Sequence, residues 1–250
     1  MIDINNLSLT YKSKNKELKV LENINLSFNS EETISIIGPS GCGKSTLLNI
    51  LAGIIKNYEG EVLLNKVKLS PHIHKIGYIP QNFGLLAWKN VRENILIPFT
   101  IKKEKLTKEK EDKLNYLMKR LGVDNLNHKY PSEISGGQKQ RVSMVRAFFM
   151  EPDILLMDEA FSALDAIIRE EAQELFLNTW HENKIPTFMV THSIDEALYM
   201  GKKIIIMSSN KGNILRVIEN PLFNDKEYKN SKEYPLLYTE IKALIKEGLK

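Results

Sequence analysis

Up to about Ile79 the chain reads mostly as strands, because apolar and polar residues tend to alternate. Ile2, Ile4, Leu7 and Leu9 alternate in part, and Val20–Phe28 does so more cleanly, which predicts half-buried strands. Ile34–Ile37 is a short apolar run and predicts a buried strand, followed by a helix from Thr46 to Leu51. Gly60–Asn65 and Val67–Leu69 predict a short hairpin, and Ile76–Ile79 another strand. From about Asn82 to Met150 the pattern becomes helical and charged, with Leu106–Leu121 expected as its longest segment. Past Pro152 short apolar strands return at Ile154–Met157, Phe188–Val190 and Ile204–Met207, with a helix predicted over Ala166–His181. That rhythm predicts an α/β fold whose mostly parallel sheet is covered by helices. The tail from about Phe223 to Lys250 ends in an amphipathic helix carrying Leu237, Ile241, Leu244 and Ile245. There is neither an internal repeat nor a linker rich in Pro, Gly or Ser.

Composition narrows the class without choosing a function. A chain of 250 residues with 42% hydrophobic and 26% charged residues holds one large domain, or one with an inserted subdomain. The net charge of +4 suits nucleic acid or an anionic membrane surface, and equally suits plain solubility, since the lysines are scattered. No run has the length to span a bilayer and Met1–Ile4 shows no signal-peptide pattern, so a cytoplasmic location is expected unless a partner holds the chain at a membrane. The single cysteine, Cys42, excludes an internal disulfide and a cysteine-rich metal site.

Cys42 lies in Gly38-Pro39-Ser40-Gly41-Cys42-Gly43-Lys44-Ser45, which matches the phosphate loop G-x-x-x-x-G-K-[ST] between a predicted strand and a helix opening at Thr46. Glycines let successive N–H groups turn toward phosphate oxygens, and the helix N-terminus favours their negative charge. Lys44 supplies a cation for β- and γ-phosphates, and the Ser45 hydroxyl suits Mg²⁺. Within the loop, Cys42 reads either as a redox group or simply as a small residue tolerated there.

Further groups follow in order. Ile154–Met157 runs into Asp158 and Glu159, a strand ending in two carboxylates: Asp158 to hold Mg²⁺ and Glu159 to polarise an attacking water. Ser135-Gly136-Gly137-Gln138 opens a predicted helix and reads as a second anion-binding nest or as an ordinary capped turn. His192 ends a core strand where it can meet a γ-phosphate, while Ser193 and Glu196 form an expected capping box. Gln81 follows a strand and offers a neutral donor and acceptor to Mg²⁺ and water. Tyr11 offers a ring to stack on a base, or one that merely packs on its strand.

Together these motifs, with Ser162-Ala163-Leu164-Asp165, resemble the ATP-binding subunit of ABC transporters over about residues 2–220. The most specific stretch is Ile134-Ser135-Gly136-Gly137-Gln138-Lys139-Gln140-Arg141, similar to the family's signature. The resemblance implies an adenine-stacking Tyr11, a Q-loop Gln81, a catalytic Glu159, a D-loop Asp165 and a switch His192. It also implies a homodimer in which two ATP molecules lie between one subunit's phosphate loop and the other's signature. A permease would dock between Gln81 and Ser135, where Leu85–Ile95 with Trp88 looks like importers of the nitrate, sulfonate and taurine group. Ala87 and Ala160 stand where those relatives usually carry Pro, and Ala160 is expected to loosen the turn that aims Glu159.

The resulting expectation is a P-loop NTPase core plus an N-terminal antiparallel β subdomain, together residues 1–81 and 151–222, with a helical subdomain inserted at 82–150 and a helical tail at 223–250. It would work with ATP and Mg²⁺ at the cytoplasmic face of the membrane, peripherally, with permease subunits and a substrate-binding protein as partners and no nucleic acid. An exporter subunit would look the same at the ATP site. A nucleic-acid ATPase of the SMC type shares the motifs, but a long coiled coil would separate phosphate loop from signature, which here lie roughly 90 residues apart.

Overall fold

The computed structural model describes residues 1–13, 16–210 and 212–249. Its strands are β1 (Ile2–Ser13), β2 (Lys16–Phe28), β3 (Thr33–Ile37), β4 (Glu59–Leu64), β5 (Val67–Lys68), β6 (Ile76–Ile79), β7 (Ile154–Asp158), β8 (Thr187–Val190), β9 (Lys203–Met207) and β10 (Ile214–Glu219). The α-helices are α1 (Lys44–Leu51), α2 (Val91–Lys102), α3 (Lys108–Arg120), α4 (Gly136–Phe149), α5 (Ala166–Asn183), α6 (Ile194–Met200) and α7 (Glu233–Glu247). One sheet, ordered β2-β1-β4-β5, is antiparallel throughout. The other runs β10-β9-β3-β8-β7-β6 and is parallel except for β10.

The inner parallel strands are buried on both faces, so β7, β8 and β9 are mostly apolar runs, and the polar Ser35 in the middle of β3 is itself buried. In β7, Ile154 and Leu156 enter the core shared with the antiparallel sheet and α1, whereas Leu155 and Met157 enter the core beneath the helices. In β9 the same division puts Ile205 and Met207 on one face and Ile204 and Ile206 on the other. Helices α2, α3 and α4 follow one another between β6 and β7. Asn90 caps α2 reciprocally with Glu93: Asn90 Oδ1 accepts from the Glu93 N–H at 2.8 Å, and the Glu93 carboxylate accepts from the Asn90 N–H at 2.9 Å.

Three expectations need adjustment. The longest helix of the 82–150 stretch is α4, with 14 residues, rather than α3, with 13. Strand β10 was not foreseen: Ile-Leu-Arg-Val-Ile-Glu does not alternate cleanly, and it becomes a strand by pairing with β9 at the sheet edge. Ser193 does cap α6, accepting from the Glu196 N–H at 3.2 Å, but the Glu196 carboxylate accepts from Thr191 Oγ1 at 2.7 Å and so does not complete a box. The tail helix α7 buries Ile241 and rests Leu237, Leu244 and Ile245 against the helical core, as its pattern predicts.

Candidate active site

β3, β6, β7 and β8 run parallel, so their carboxyl ends share one edge of the sheet, where open α/β sheets bind ligands. The register sets Ile36 beside Val190, Val190 beside Asp158 and Ile79 beside Met157. The segments leaving these strands are the phosphate loop, Gln81, the Asp158–Asp165 turn and Thr191–His192.

The phosphate loop owes its path to its glycines. A Cβ on Gly38 would sit 2.5 Å from the Met207 carbonyl oxygen, so the end of β9 admits only glycine. Gly41 and Gly43 hold φ of +79° and +98°, where side chains are strained. Pro39 and Cys42 are buried, Ser40 and Ser45 are exposed, and Thr46 is half-buried on the first turn of α1. Lys44 curls over the loop, its Nζ donating to the Gly38 and Pro39 carbonyls at 2.9 and 2.8 Å. No acidic residue occupies the first turn of α1, which leaves its positive end for an anion. Burial pushes the Cys42 thiol up, against the pull of the Lys44 charge, so it fills core space as a neutral thiol.

The Asp158 carboxylate accepts from Ser45 Oγ at 3.2 Å and from the Tyr78 hydroxyl at 3.4 Å. Burial raises its pKa; the Ser45 hydrogen bond opposes this and the Glu159 charge adds to it. Tyr78 is pushed up to about 12 by burial and by the Asp158 charge, and remains a neutral donor. A hydroxyl and a raised carboxylate side by side are hard oxygen donors that suit Mg²⁺, and a cation there would relieve the crowding of negative charge.

Glu159 sits at φ +47°, in the left-handed region. Its N–H donates to the Val190 carbonyl at 2.9 Å, and its carbonyl accepts from the N–H and hydroxyl of Ser162 at 3.0 and 2.8 Å. The turn expected to be loosened by Ala160 is therefore pinned from both sides, and Ala160 itself is fully buried. Glu159 Oε2 accepts from Gln81 Nε2 at 3.2 Å and lies 3.3 Å from His192 Nδ1. Three groups named from separate parts of the sequence thus meet at one oxygen.

At the start of α4, Ser135 Oγ accepts from the Gln138 N–H at 3.3 Å, and Gln138 Oε1 accepts from the Ser135 N–H at 2.9 Å. The two glycines differ. A Cβ on Gly137 would fall 2.6 Å from Ile168 Cγ2, whereas one on Gly136 would meet only Leu164 Cδ2 at an ordinary 3.7 Å. Among the described residues no hydrogen bond or ion pair joins Ser135–Gln138 to Lys44, Asp158 or Glu159.

A family model described as ABC transporter matches residues 21–162. The chain belongs to the ABC transporter family. It is 40% identical over 253 residues to an aliphatic sulfonates import ATP-binding protein, SsuB, of Bacillus cereus, covering 99% of each chain. It is 35% identical over 239 residues to the taurine import ATP-binding protein TauB of Roseobacter denitrificans, covering 94% of this chain and 88% of that one. A solved dimer of the ATP-binding cassette MJ0796, in a post-hydrolysis state bound to ADP and Pi, superposes with a TM-score of 0.76 at 31% identity, covering 88% of this chain and 98% of that one. This is an ATP-binding ABC ATPase, with the α/β cassette fold its sequence predicts.

In this ABC subunit Tyr11 is 47% exposed on β1, opposite Leu18. Asp165 caps α5, its Oδ1 accepting from the Ile168 N–H at 3.1 Å. The sequence places Tyr78 only within a strand and Ser162 only within the motif that ends at Asp165, and neither was given a contact in the site. Tyr78 reaches Asp158 because parallel pairing sets it beside Leu156, and Ser162 acts through a turn whose shape depends on Glu159 being left-handed. No helix among the described residues is long and apolar enough to cross a membrane.

Proposed function

We propose that this ABC ATPase hydrolyses Mg·ATP in composite sites between two copies and thereby drives uptake of a small organic anion of the sulfonate type through a membrane permease. The observation that carries the hydrolytic part is the convergence of Gln81 and His192 on Glu159 Oε2, beside the Ser45–Asp158 pair. The loop from Gly38 to Thr46 would cradle the phosphates with Lys44, and Tyr11 would stack on the base. Ser45, Gln81 and Asp158 would hold Mg²⁺, which supplies charge neutralisation on the phosphates. Glu159 takes the proton of the attacking water, while His192 and Gln81 hold that carboxylate in place.

The composite site is supported by the signature. Among the described residues nothing requires glycine at Gly136, and by helix geometry the N–H groups of Gly136 and Gly137 have no intrahelical acceptor. A phosphate presented by a second copy would meet both, with Gln138 capping the turn and Asp165 at the junction of the two copies. The solved cassette that this chain resembles is itself dimeric.

For the permease, residues 82–150 form the docking arm in this reading. Trp88 is 74% exposed in the turn before α2, an unusual place for so large an apolar ring. Importer function, rather than export, is supported by the import subunits named among the relatives, and a substrate-binding protein would complete the system at the other face of the membrane. The chain would then sit peripherally on the cytoplasmic face.

The test is uptake of a radiolabelled alkanesulfonate and of taurine in cells deleted for this chain and complemented with variants. Wild type should restore uptake of one of them. Trp88→Ala should keep the ATPase rate of the isolated subunit while losing uptake and co-purification with the permease. DNA-stimulated hydrolysis without membrane association, or full uptake with Trp88→Ala, would overturn the corresponding part.

A further inference from the structure

The carbonyl of Met207, at the end of β9, is crowded by two glycines from different parts of the chain. A Cβ on Gly38, in the phosphate loop, would fall 2.5 Å from its oxygen, and one on Gly248, at the end of α7, would fall 3.3 Å from it. Gly248 is buried, and its φ of −65° is ordinary right-handed helix, so no left-handed cap demands glycine there. What demands it is space: the same Cβ would lie 3.1 Å from Leu215 Cδ1 and 3.2 Å from Ser208 Cα. The phosphate loop and the tail therefore close on one peptide group of β9.

The turn that joins β9 to β10 carries the contact further. Ser209 donates to the Gly248 carbonyl through its N–H at 2.8 Å and its Oγ at 2.6 Å, and Ser208 Oγ adds a third bond at 3.3 Å. Carbonyls in the last turn of a helix have no N–H partner within the helix, and here the turn supplies the donors. The Ser208 N–H donates to the Asn213 carbonyl at 2.9 Å, which closes the turn. Gly212, in the same turn, lies against the phosphate loop: a Cβ there would stand 3.0 Å from the Cys42 carbonyl oxygen and 2.0 Å from that of Val20 on β2. Gly43 approaches Val20 as well, since its own Cβ would fall 3.1 Å from the same Val20 oxygen.

We propose that Gly248, Ser208 and Ser209 form a clasp by which the end of α7 holds the back of the phosphate loop in its nucleotide-binding shape, making all three positioning residues for ATP binding. The inference rests on the reading of Gly38–Thr46 as the phosphate cradle. Contacts this close leave no slack, so a shift of the β9–β10 turn is passed to Gly38 and Cys42 instead of being absorbed. Backbone N–H groups aimed at a phosphate lose their bonds steeply with distance and angle, so a small shift of the loop costs affinity. The clasp meets the site at the phosphate loop, whereas Glu159 Oε2 is held by Gln81 and His192, so nucleotide binding and turnover separate.

The experiment measures equilibrium binding of a fluorescent ATP analogue and steady-state hydrolysis in full-length protein. Gly248→Val forces branched carbons against Met207 and Ser208 and should raise Kd by about tenfold, while kcat at saturating ATP stays within about twofold. Ser208→Ala/Ser209→Ala removes two of the three donors and should raise Kd by about threefold, with the same split. Ser209→Thr keeps both donors of that residue and should bind within about twofold of wild type. Tyr234→Phe loosens the opposite end of α7, where the Tyr234 hydroxyl donates to Asp195 Oδ1 at 2.8 Å, and should also leave Kd within about twofold. Unchanged Kd in both Gly248→Val and the serine double variant would overturn the clasp. So would a fall in kcat with Kd unchanged, or a rise in Kd with Tyr234→Phe equal to that with Gly248→Val, since that pattern belongs to general docking of the tail. Where Gly248→Val fails to fold, the serine double variant decides alone. Lys44→Ala runs alongside: if it binds the analogue normally, the phosphate-loop reading fails, whereas lost binding there with wild-type binding in the clasp variants defeats only the clasp.

Discussion

Glu159→Gln isolates proton acceptance from everything else this side chain does. Both neighbouring groups meet the same oxygen, Oε2, with Gln81 Nε2 at 3.2 Å and His192 Nδ1 at 3.3 Å. An amide of the same volume can set its carbonyl oxygen there and its NH₂ where Oε1 was, keeping both contacts. The backbone bonds that fix the turn, from the Glu159 N–H to Val190 and from Ser162 to the Glu159 carbonyl, are untouched. What disappears is the base, and removing a positioned general base costs about 10²–10⁴ in rate. That range corresponds to about 3–5 kcal/mol of transition-state stabilisation. Steady-state phosphate release should fall by that factor, while equilibrium binding of a fluorescent ATP analogue stays within about twofold. ATP should also accumulate a stable dimer, visible by size-exclusion chromatography, because the closed state is no longer discharged. Turnover within about threefold of wild type would refute the assignment of Glu159 as base. An equal loss of binding and turnover would assign it to nucleotide binding instead.

Lys44→Ala removes an ammonium able to make charge-assisted hydrogen bonds worth about 1.5–3 kcal/mol each, so ATP affinity should fall by roughly 10² or more with an unchanged circular dichroism spectrum; undiminished binding would sink the phosphate-loop reading. Gly137→Ala drives a methyl into Ile168 Cγ2, a branched side chain with little freedom to yield, and should cost about 1–3 kcal/mol in chemical denaturation. Gly136→Ala meets no such obstacle and should leave stability within about 0.5 kcal/mol while reducing ATP-driven dimerisation. Equal stability losses for the two glycines would show that both serve internal packing.

Much of this protein was legible in its sequence for local reasons. A glycine loop between a strand and a helix has one main use, and it needs only the backbone freedom of Gly41 and Gly43 together with the charge of Lys44. The apolar runs of β7, β8 and β9 declared a doubly covered sheet, and Ser35 is the polar interruption that β3 buries within it. Ser135 announced a helix start because its side chain satisfies an N–H group only three residues away.

Tertiary structure decided whatever depended on register between distant strands. Gln81, Glu159 and His192 lie on segments leaving three different strands, and only the pairing of β6 with β7 and β7 with β8 brings them to one oxygen. The same pairing recruits Tyr78 to Asp158, and the Glu159 turn recruits Ser162. β10 became a strand because β9 offered it an edge, against the weak pattern of its own residues. Glu196, which reads as a capping residue, is buried and turns its carboxylate inward to Thr191 Oγ1, on the segment that follows β8. Caps and loops are settled within a few residues of chain. The meeting of charges across a sheet depends on strand order and register, and no stretch of sequence carries that by itself.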